Sequence, residues 1–180
     1  GMKKTDVLIV GGGPAGSACA MMLADAGVSV TLLDKASFPR DKICGDALSP
    51  DVLNQLVQVR PDLRTHFDLQ DKKHRINGMR LVAPSGVHCD LMLNSASVKL
   101  DGFVMSRMEF DRTLNEEVRK TKNIDLHEGV RVKKCTPIEG GMRVETDQGE
   151  WNTRMLVGAD GAHSVVAKQL AGFEMDRKHY

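Results

Sequence analysis

Gly11, Gly13 and Gly16 stand at G-x-G-x-x-G spacing in the stretch "DVLIVGGGPAG". They follow an apolar run and open a stretch of small residues, and that context gives each glycine a mechanical task. Gly11 permits a tight turn. Gly13 lets backbone approach a pyrophosphate with no Cβ in the way. Gly16 lets a helix pack closely on the preceding strand. Pro14 and Ala15 fall in the first turn of that helix, where unpaired N–H groups carry partial positive charge and favour a dinucleotide phosphate. Asp34 lies 18 residues beyond Gly16, with Lys35 next to it. A carboxylate there can accept hydrogen bonds from both hydroxyls of an adenosine ribose and would repel a 2′-phosphate. A tight turn with a solvated acid at a strand end has the same spelling. The glycine pattern alone leaves FAD and NAD both open.

The elements that must position these residues read as strand, turn, helix, strand. Val7 to Val10 is a continuous apolar run, the mark of a strand buried on both faces. Pro14 through Ala26 is predicted helical, with Gly27 as its stop. Val28, Val30, Leu32 and Leu33 give the second strand, which completes a βαβ unit. Residues 35–50, with two prolines and no clean period, read as a long loop, followed by a helix near Asp51 to Val59. Residues 74–105 alternate in short β-like pieces, as an inserted sheet would. Arg107 to Lys120 is predicted helical, with Met108, Phe110, Leu114 and Val118 mostly on one face. Ile124 to Leu126 is a short strand. Val130 to Thr136 and Met142 to Thr146 form a hairpin. Trp151 to Val157 is a further strand that ends in "GADGAHS", and Ala162 to Leu170 is a last helix.

The bulk numbers narrow the class of protein. The 180 residues are 41% hydrophobic and 27% charged, ordinary for a globular chain. The formal net charge of +1 gives no footing for a nucleic-acid partner. Cys19, Cys44, Cys89 and Cys135 form no CxxC pair, so no zinc or other metal site is expected. Free thiols and the absence of a signal-like N-terminus point to the cytoplasm. The longest early apolar run is far short of the roughly 20 residues that span a bilayer, so no transmembrane segment is expected. Gly1 before Met2 reads as a remnant of tag removal.

Four segments carry a family resemblance: "DVLIVGGGPAGSACAMMLADAGVSVTLLDK", "FPRDKICGDALSP", "SRMEFDRTL" and "VGADGAHSVVAKQL". In order and spacing the chain resembles FAD-dependent oxidoreductases of the aromatic-hydroxylase structural type (group A flavoprotein monooxygenases), and within them the geranylgeranyl reductase family. The resemblance implies an α/β fold: a Rossmann-like FAD-binding βαβ domain with an inserted β-rich segment. Residues 2–73 and 101–180 would form the incomplete FAD/NAD(P)-binding domain, and residues 74–100 the inserted start of the substrate-domain sheet.

The resemblance also implies roles. Asp34 would hold the adenosine ribose of FAD. Arg107 would reach the flavin's phosphate or ribityl portion, where a guanidinium offers a planar fork of donors. The backbone near Val130 and Val132 would run beside the adenine. Asp160 and Gly161 would touch the FAD ribose or pyrophosphate and help place NAD(P)H; capping of the last helix is the plainer role for Asp160. The motif's usual arginine falls at Ala167, with Lys168 next door. Cys44 and Gly45 would pass the flavin ring, with Cys44 lining the substrate pocket or donating a proton during double-bond reduction. Asp46 departs from the residue expected after Cys-Gly. Arg40 and Lys42 would give this loop a positive rim.

The implied function is an FAD-dependent oxidoreductase that reduces carbon–carbon double bonds of a hydrophobic, isoprenoid-type small molecule. NAD(P)H or another donor would supply the electrons. An FAD-dependent aromatic hydroxylase is the alternative within the class, and a non-catalytic dinucleotide-binding fragment the alternative outside it. Members of this type are roughly twice as long, so the C-terminal half of the family fold is expected to be absent. An open sheet edge would then favour self-association, and peripheral membrane contact is compatible with such a substrate.

Overall fold

A computed structural model describes residues 1–38, 47–69, 73–92, 102–161 and 163–172. In chain order its elements are β1 (Lys3–Val10), α1 (Pro14–Asp25), β2 (Val30–Asp34), β3 (Ala47–Leu48), α2 (Pro50–Val59), α3 (Pro61–Asp68), β4 (His74–Ile76) and β5 (Gly78–Val82). They continue with β6 (His88–Met92), β7 (Gly102–Val104), α4 (Arg107–Lys120), β8 (Ile124–Glu128), β9 (Val132–Ile138), β10 (Gly141–Thr146), β11 (Gly149–Gly158) and α5 (Val165–Ala171). The expected α/β architecture is borne out. Two compact units divide the chain: Gly1–Arg40 with Asp111–Tyr180, and Asp41–Phe110.

The first unit is built on a six-stranded sheet in the order β8-β2-β1-β11-β10-β9. β8, β2, β1 and β11 run parallel, and β10 and β9 continue as an antiparallel meander. β1 is central because its apolar run can be buried on both faces: Leu8 and Ile9 are fully buried. By strand alternation Leu8 and Val10 point to one side. There they join Leu33, Val130, Val132, Cys135, Val144, Trp151 and Val166 in one cluster. α1 packs on β1, β2 and β8. Its buried residues are Gly16, Ser17, Ala20, Met21 and Ala24, a stripe of mostly small side chains that lets the helix lie close to the strands.

Among the described residues, one side chain bonds to the outer edge of β9 at Lys133 and Cys135. Gln169 of α5 accepts the Cys135 N–H at 2.8 Å through Oε1 and donates to the Lys133 carbonyl at 2.9 Å through Nε2. The side-chain amide thus bonds as a strand backbone would. α5 begins at Val165 rather than Ala162. Ser164 is its N-cap and accepts the Ala167 N–H at 3.0 Å.

The second unit holds α2, α3, the small sheet β3-β7-β4 and the β5–β6 hairpin. Phe67 stacks on Phe110 at 5.1 Å between ring centroids and tilts against Phe103 at 6.2 Å. The Lys73 ammonium donates to the Phe67 carbonyl at 2.8 Å. In the hairpin, Arg80 and Asp90 form a two-pronged pair at 2.6 and 2.8 Å. Met79, Leu81, Leu91 and Met92 are exposed there.

Several sequence expectations need correction. β2 starts at Val30, because the Val28 N–H turns back to the Leu23 carbonyl and closes α1. α3 was not expected; its only buried residues are Leu63 and Phe67, a single i, i+4 pair. On α4, Phe110, Leu114 and Val118 are buried as expected, but Met108 is 41% exposed. Met108 precedes Phe110 by two residues, and i, i+2 positions do not share a helix face.

Candidate functional site: a dinucleotide cradle at the strand ends

The glycine turn is held from three sides within the first unit. Gly11 donates to the Leu33 carbonyl at 2.8 Å, and Ala159 donates to the Val10 carbonyl at 2.7 Å. The turns after β1, β2 and β11 are thereby laced together. Gly11 has φ +108°, which favours glycine. A Cβ there would strike the Ala159 carbonyl, and one at Gly16 would strike the Gly11 carbonyl. Gly13 is the N-cap of α1 in extended backbone, and Pro14 is its first residue. The first bond of the helix ladder runs from Ser17 to Gly13 at 2.9 Å. The amides of Ala15 and Gly16 precede that bond, so an anion at the N-terminus of α1 can take them.

Asp34 is 3% exposed. Its Oδ2 accepts the Gly12 N–H at 2.7 Å and its Oδ1 the Ala36 N–H at 2.8 Å. Burial excludes the alternative in which Asp34 is a solvated strand end. A carboxylate can accept more than one donor on each oxygen, so this site chemistry suits a hydroxyl partner. Lys35 is exposed beside it. Gly12, unspecified in the motif, is a residue that sequence reasoning missed. A Cβ on it would come 3.0 Å from Asp34 Oδ2 and 3.4 Å from Phe38 Cε2. The signal was the third glycine in a row.

Val130 donates to the Asp34 carbonyl at 2.9 Å, which brings the chain entering β9 alongside the end of β2. The side chains of Val130 and Val132 lie in the core cluster, so only their backbone could meet a ligand. Asp160 is not the N-cap of α5, yet its Oδ2 accepts the Val165 N–H at 2.9 Å. Its Oδ1 is buried without a partner among the described residues. Gly161 follows with φ +80°. Burial, and secondarily the charge of Asp160, pushes the Cys135 thiol up from its ordinary value.

These features fit FAD. The helix N-terminus suits the pyrophosphate, and the Asp34 oxygens suit ribose hydroxyls. The orphaned acceptor of Asp160 suits a hydroxyl donor rather than another anion. Gly11 and Gly16 stand where a Cβ would strike the backbone that shapes the turn. Arg107 belongs to the second unit. It opens α4, where Ser106 accepts the Glu109 N–H at 3.3 Å in an S-x-x-E start. Cys44, Gly45, Arg40 and Lys42 lie outside the described residues. A cavity of about 400 Å³ lined by Thr5, Ser29, Asn152 and Arg154 lies by the starts of β1 and β2, at the opposite end of the strands from the glycines. The described residues hold no cluster of three metal-ligating side chains and no helix long and apolar enough to cross a membrane.

Comparison with known proteins agrees with this chemistry. The chain is 30% identical over 173 residues to the geranylgeranyl diphosphate reductase of Rhodobacter capsulatus, covering 93% of this chain and 40% of that protein. It is 33% identical over 177 residues to the menaquinone reductase of Mycobacterium tuberculosis, covering 92% and 40%. Its fold matches PqsL, a probable FAD-dependent monooxygenase from Pseudomonas aeruginosa, with a TM-score of 0.83 at 20% identity over 99% of this chain and 48% of that one. The chain thus spans about two fifths of the length of these curated relatives. The FAD-binding domain model matches residues 4–179, and the chain belongs to that FAD-binding domain family.

Proposed function

We propose that this chain forms the FAD-binding part of an enzyme that reduces carbon–carbon double bonds of a hydrophobic, isoprenoid-type substrate. The observation that carries the FAD site is the packing of Gly11 on Ala159–Asp160, which puts both dinucleotide segments at one end of one sheet. The reductase reading rests on the two relatives of 30 and 33% identity, both named as reductases. Geranylgeranyl diphosphate and menaquinone both carry polyisoprenoid chains. The hydroxylase alternative draws on fold likeness alone.

Gly11, Gly13, Pro14, Ala15 and Gly16 would receive the pyrophosphate, and Asp34 the adenosine ribose, with Lys35 at its rim. The backbone at Val132 would flank the adenine. Asp160 and Gly161 would take the ribityl or pyrophosphate side, and Arg107 a flavin phosphate. Cys44 and Gly45 would lie by the flavin ring, with Cys44 as pocket wall or proton donor. When bound, the flavin supplies hydride transfer; the protein holds and orients it and excludes water. NAD(P)H is the proposed electron donor, and free thiols fit a cytoplasmic setting. Peripheral membrane contact and self-association belong to the same reading.

The test is reconstitution with FAD followed by anaerobic reduction and addition of geranylgeranyl diphosphate. Flavin absorbance bands with reoxidation by that lipid support the reading. Flavin uptake with peroxide or hydroxylated product in air supports the hydroxylase. No flavin uptake by the purified chain leaves a non-catalytic fragment.

A further inference from the structure

We infer that Phe38 closes the adenosine side of the cradle and that Glu128 is the positioning residue that holds it there. This rests on the reading of the β2 end as the adenosine site.

Glu128 ends β8 directly opposite Asp34 in the parallel register. Its side chain is 18% exposed. One oxygen, Oε1, gathers three donors: Arg119 Nη2 at 2.7 Å, Asn115 Nδ2 at 3.3 Å and the Phe38 N–H at 3.4 Å. Arg119 Nε also donates to Asn115 Oδ1 at 2.8 Å, so the carboxylate is braced by a closed ring of three side chains from α4 and β8. A half-buried acid braced in this way keeps one orientation. The Gly129 N–H adds a bond to the Ala36 carbonyl at 3.2 Å. Together these contacts tie the segment 35–38 down across the ends of β2 and β8.

The far end of this chain of contacts is the cradle itself. The Phe38 ring edge stands 3.4 Å from where a Gly12 Cβ would be, and Asp34 Oδ2, which takes the Gly12 amide, stands 3.0 Å from the same point. The carboxylate and the aromatic ring therefore meet over the bare Cα of Gly12. An aromatic wall excludes water from the charge-assisted bonds at Asp34 and offers an apolar surface to a nucleoside. Nothing in the G-x-G-x-x-G rule calls for either Phe38 or Glu128.

The test compares binding of ADP and of inorganic pyrophosphate to the full chain carrying Phe38→Ala, Phe38→Tyr, Glu128→Gln and the double variant F38A/E128Q. ADP affinity is expected to fall about tenfold in F38A and severalfold in E128Q, with no further loss in the double variant. Pyrophosphate affinity should stay within about twofold, and F38Y should restore ADP binding. Wild-type ADP affinity in F38A would overturn the inference, as would losses that multiply in the double variant. Equal weakening of ADP and pyrophosphate would also overturn it, because that marks general damage to the turn. A wild-type chain that binds neither FAD nor ADP defeats the adenosine-site reading instead.

Discussion

The Asp34 carboxylate accepts the Gly12 amide at 2.7 Å, so the residue expected to receive a ribose also fixes the turn expected to receive a phosphate. Asp34→Asn puts an NH2 group against one of two backbone N–H donors, Gly12 or Ala36. That change should cost about 1–3 kcal/mol and lower FAD affinity together with the thermal midpoint. Thermal unfolding beside an FAD titration measures both. An Asn variant with unchanged stability would show that the bonds to Gly12 and Ala36 are incidental.

Two glycines give opposite readouts. Gly16→Ala raises helix propensity, yet the new methyl meets the Gly11 carbonyl. Overpacking against backbone outweighs the propensity gain, and a net loss of about 2–3 kcal/mol with loss of FAD binding is expected. Gly140 has φ +76° and nothing within 4 Å of its Cβ position. Gly140→Ala should cost only backbone strain, about 1–2 kcal/mol, and leave FAD affinity unchanged. Chemical denaturation of both variants, read beside flavin binding, separates the cases; equal loss of flavin in both would contradict the cradle.

Gln169→Ala removes both bonds that cover the β9 edge. The expected cost is about 1–2 kcal/mol, with faster hydrogen exchange at the Cys135 amide and little change at β1. Unchanged protection at Cys135 would mean that another group covers the edge.

The Cys135 thiol is raised by burial first and by Asp160 second. A raised acid binds its proton more tightly in the folded state, so its contribution is fully present below the unfolded value. That contribution is lost as pH climbs through the folded value. Stability should therefore decline above about pH 9, near the ordinary thiol value of 9.0, and Cys135→Ala should flatten that decline while losing a little stability at neutral pH. Urea midpoints from pH 7 to 10.5 decide it. A Cys135→Ala variant with the same alkaline slope would assign the decline to other groups.

What could be read from the sequence was local. The run Val7–Val10, the glycines, the small-residue helix and the hairpin of β9 and β10 each declare themselves within a few residues. The half of β1 from Lys3 to Asp6 did not, because it is strand only through pairing with Trp151–Thr153 at the far end of the chain. Glu128 and Phe38 were missed for the same reason: 90 residues separate them, and no spacing rule joins them. α3 shows two apolar positions in eight residues, too few for a period to register. Asp34 was found by its distance from Gly16, but its burial and its grip on Gly12 exist only in three dimensions.

The parallel pairing of Lys3 with Trp151 also sets an order of events during synthesis. β1 is made well before its β11 neighbour, which is complete only after Gly158. Until then the apolar run Val7–Val10 of β1 has a bare side, and the glycine turn lacks the Ala159–Asp160 wall. Such long-range closure is slow and leaves sticky intermediates. The cradle therefore cannot close before Ala159 and Asp160 have been made.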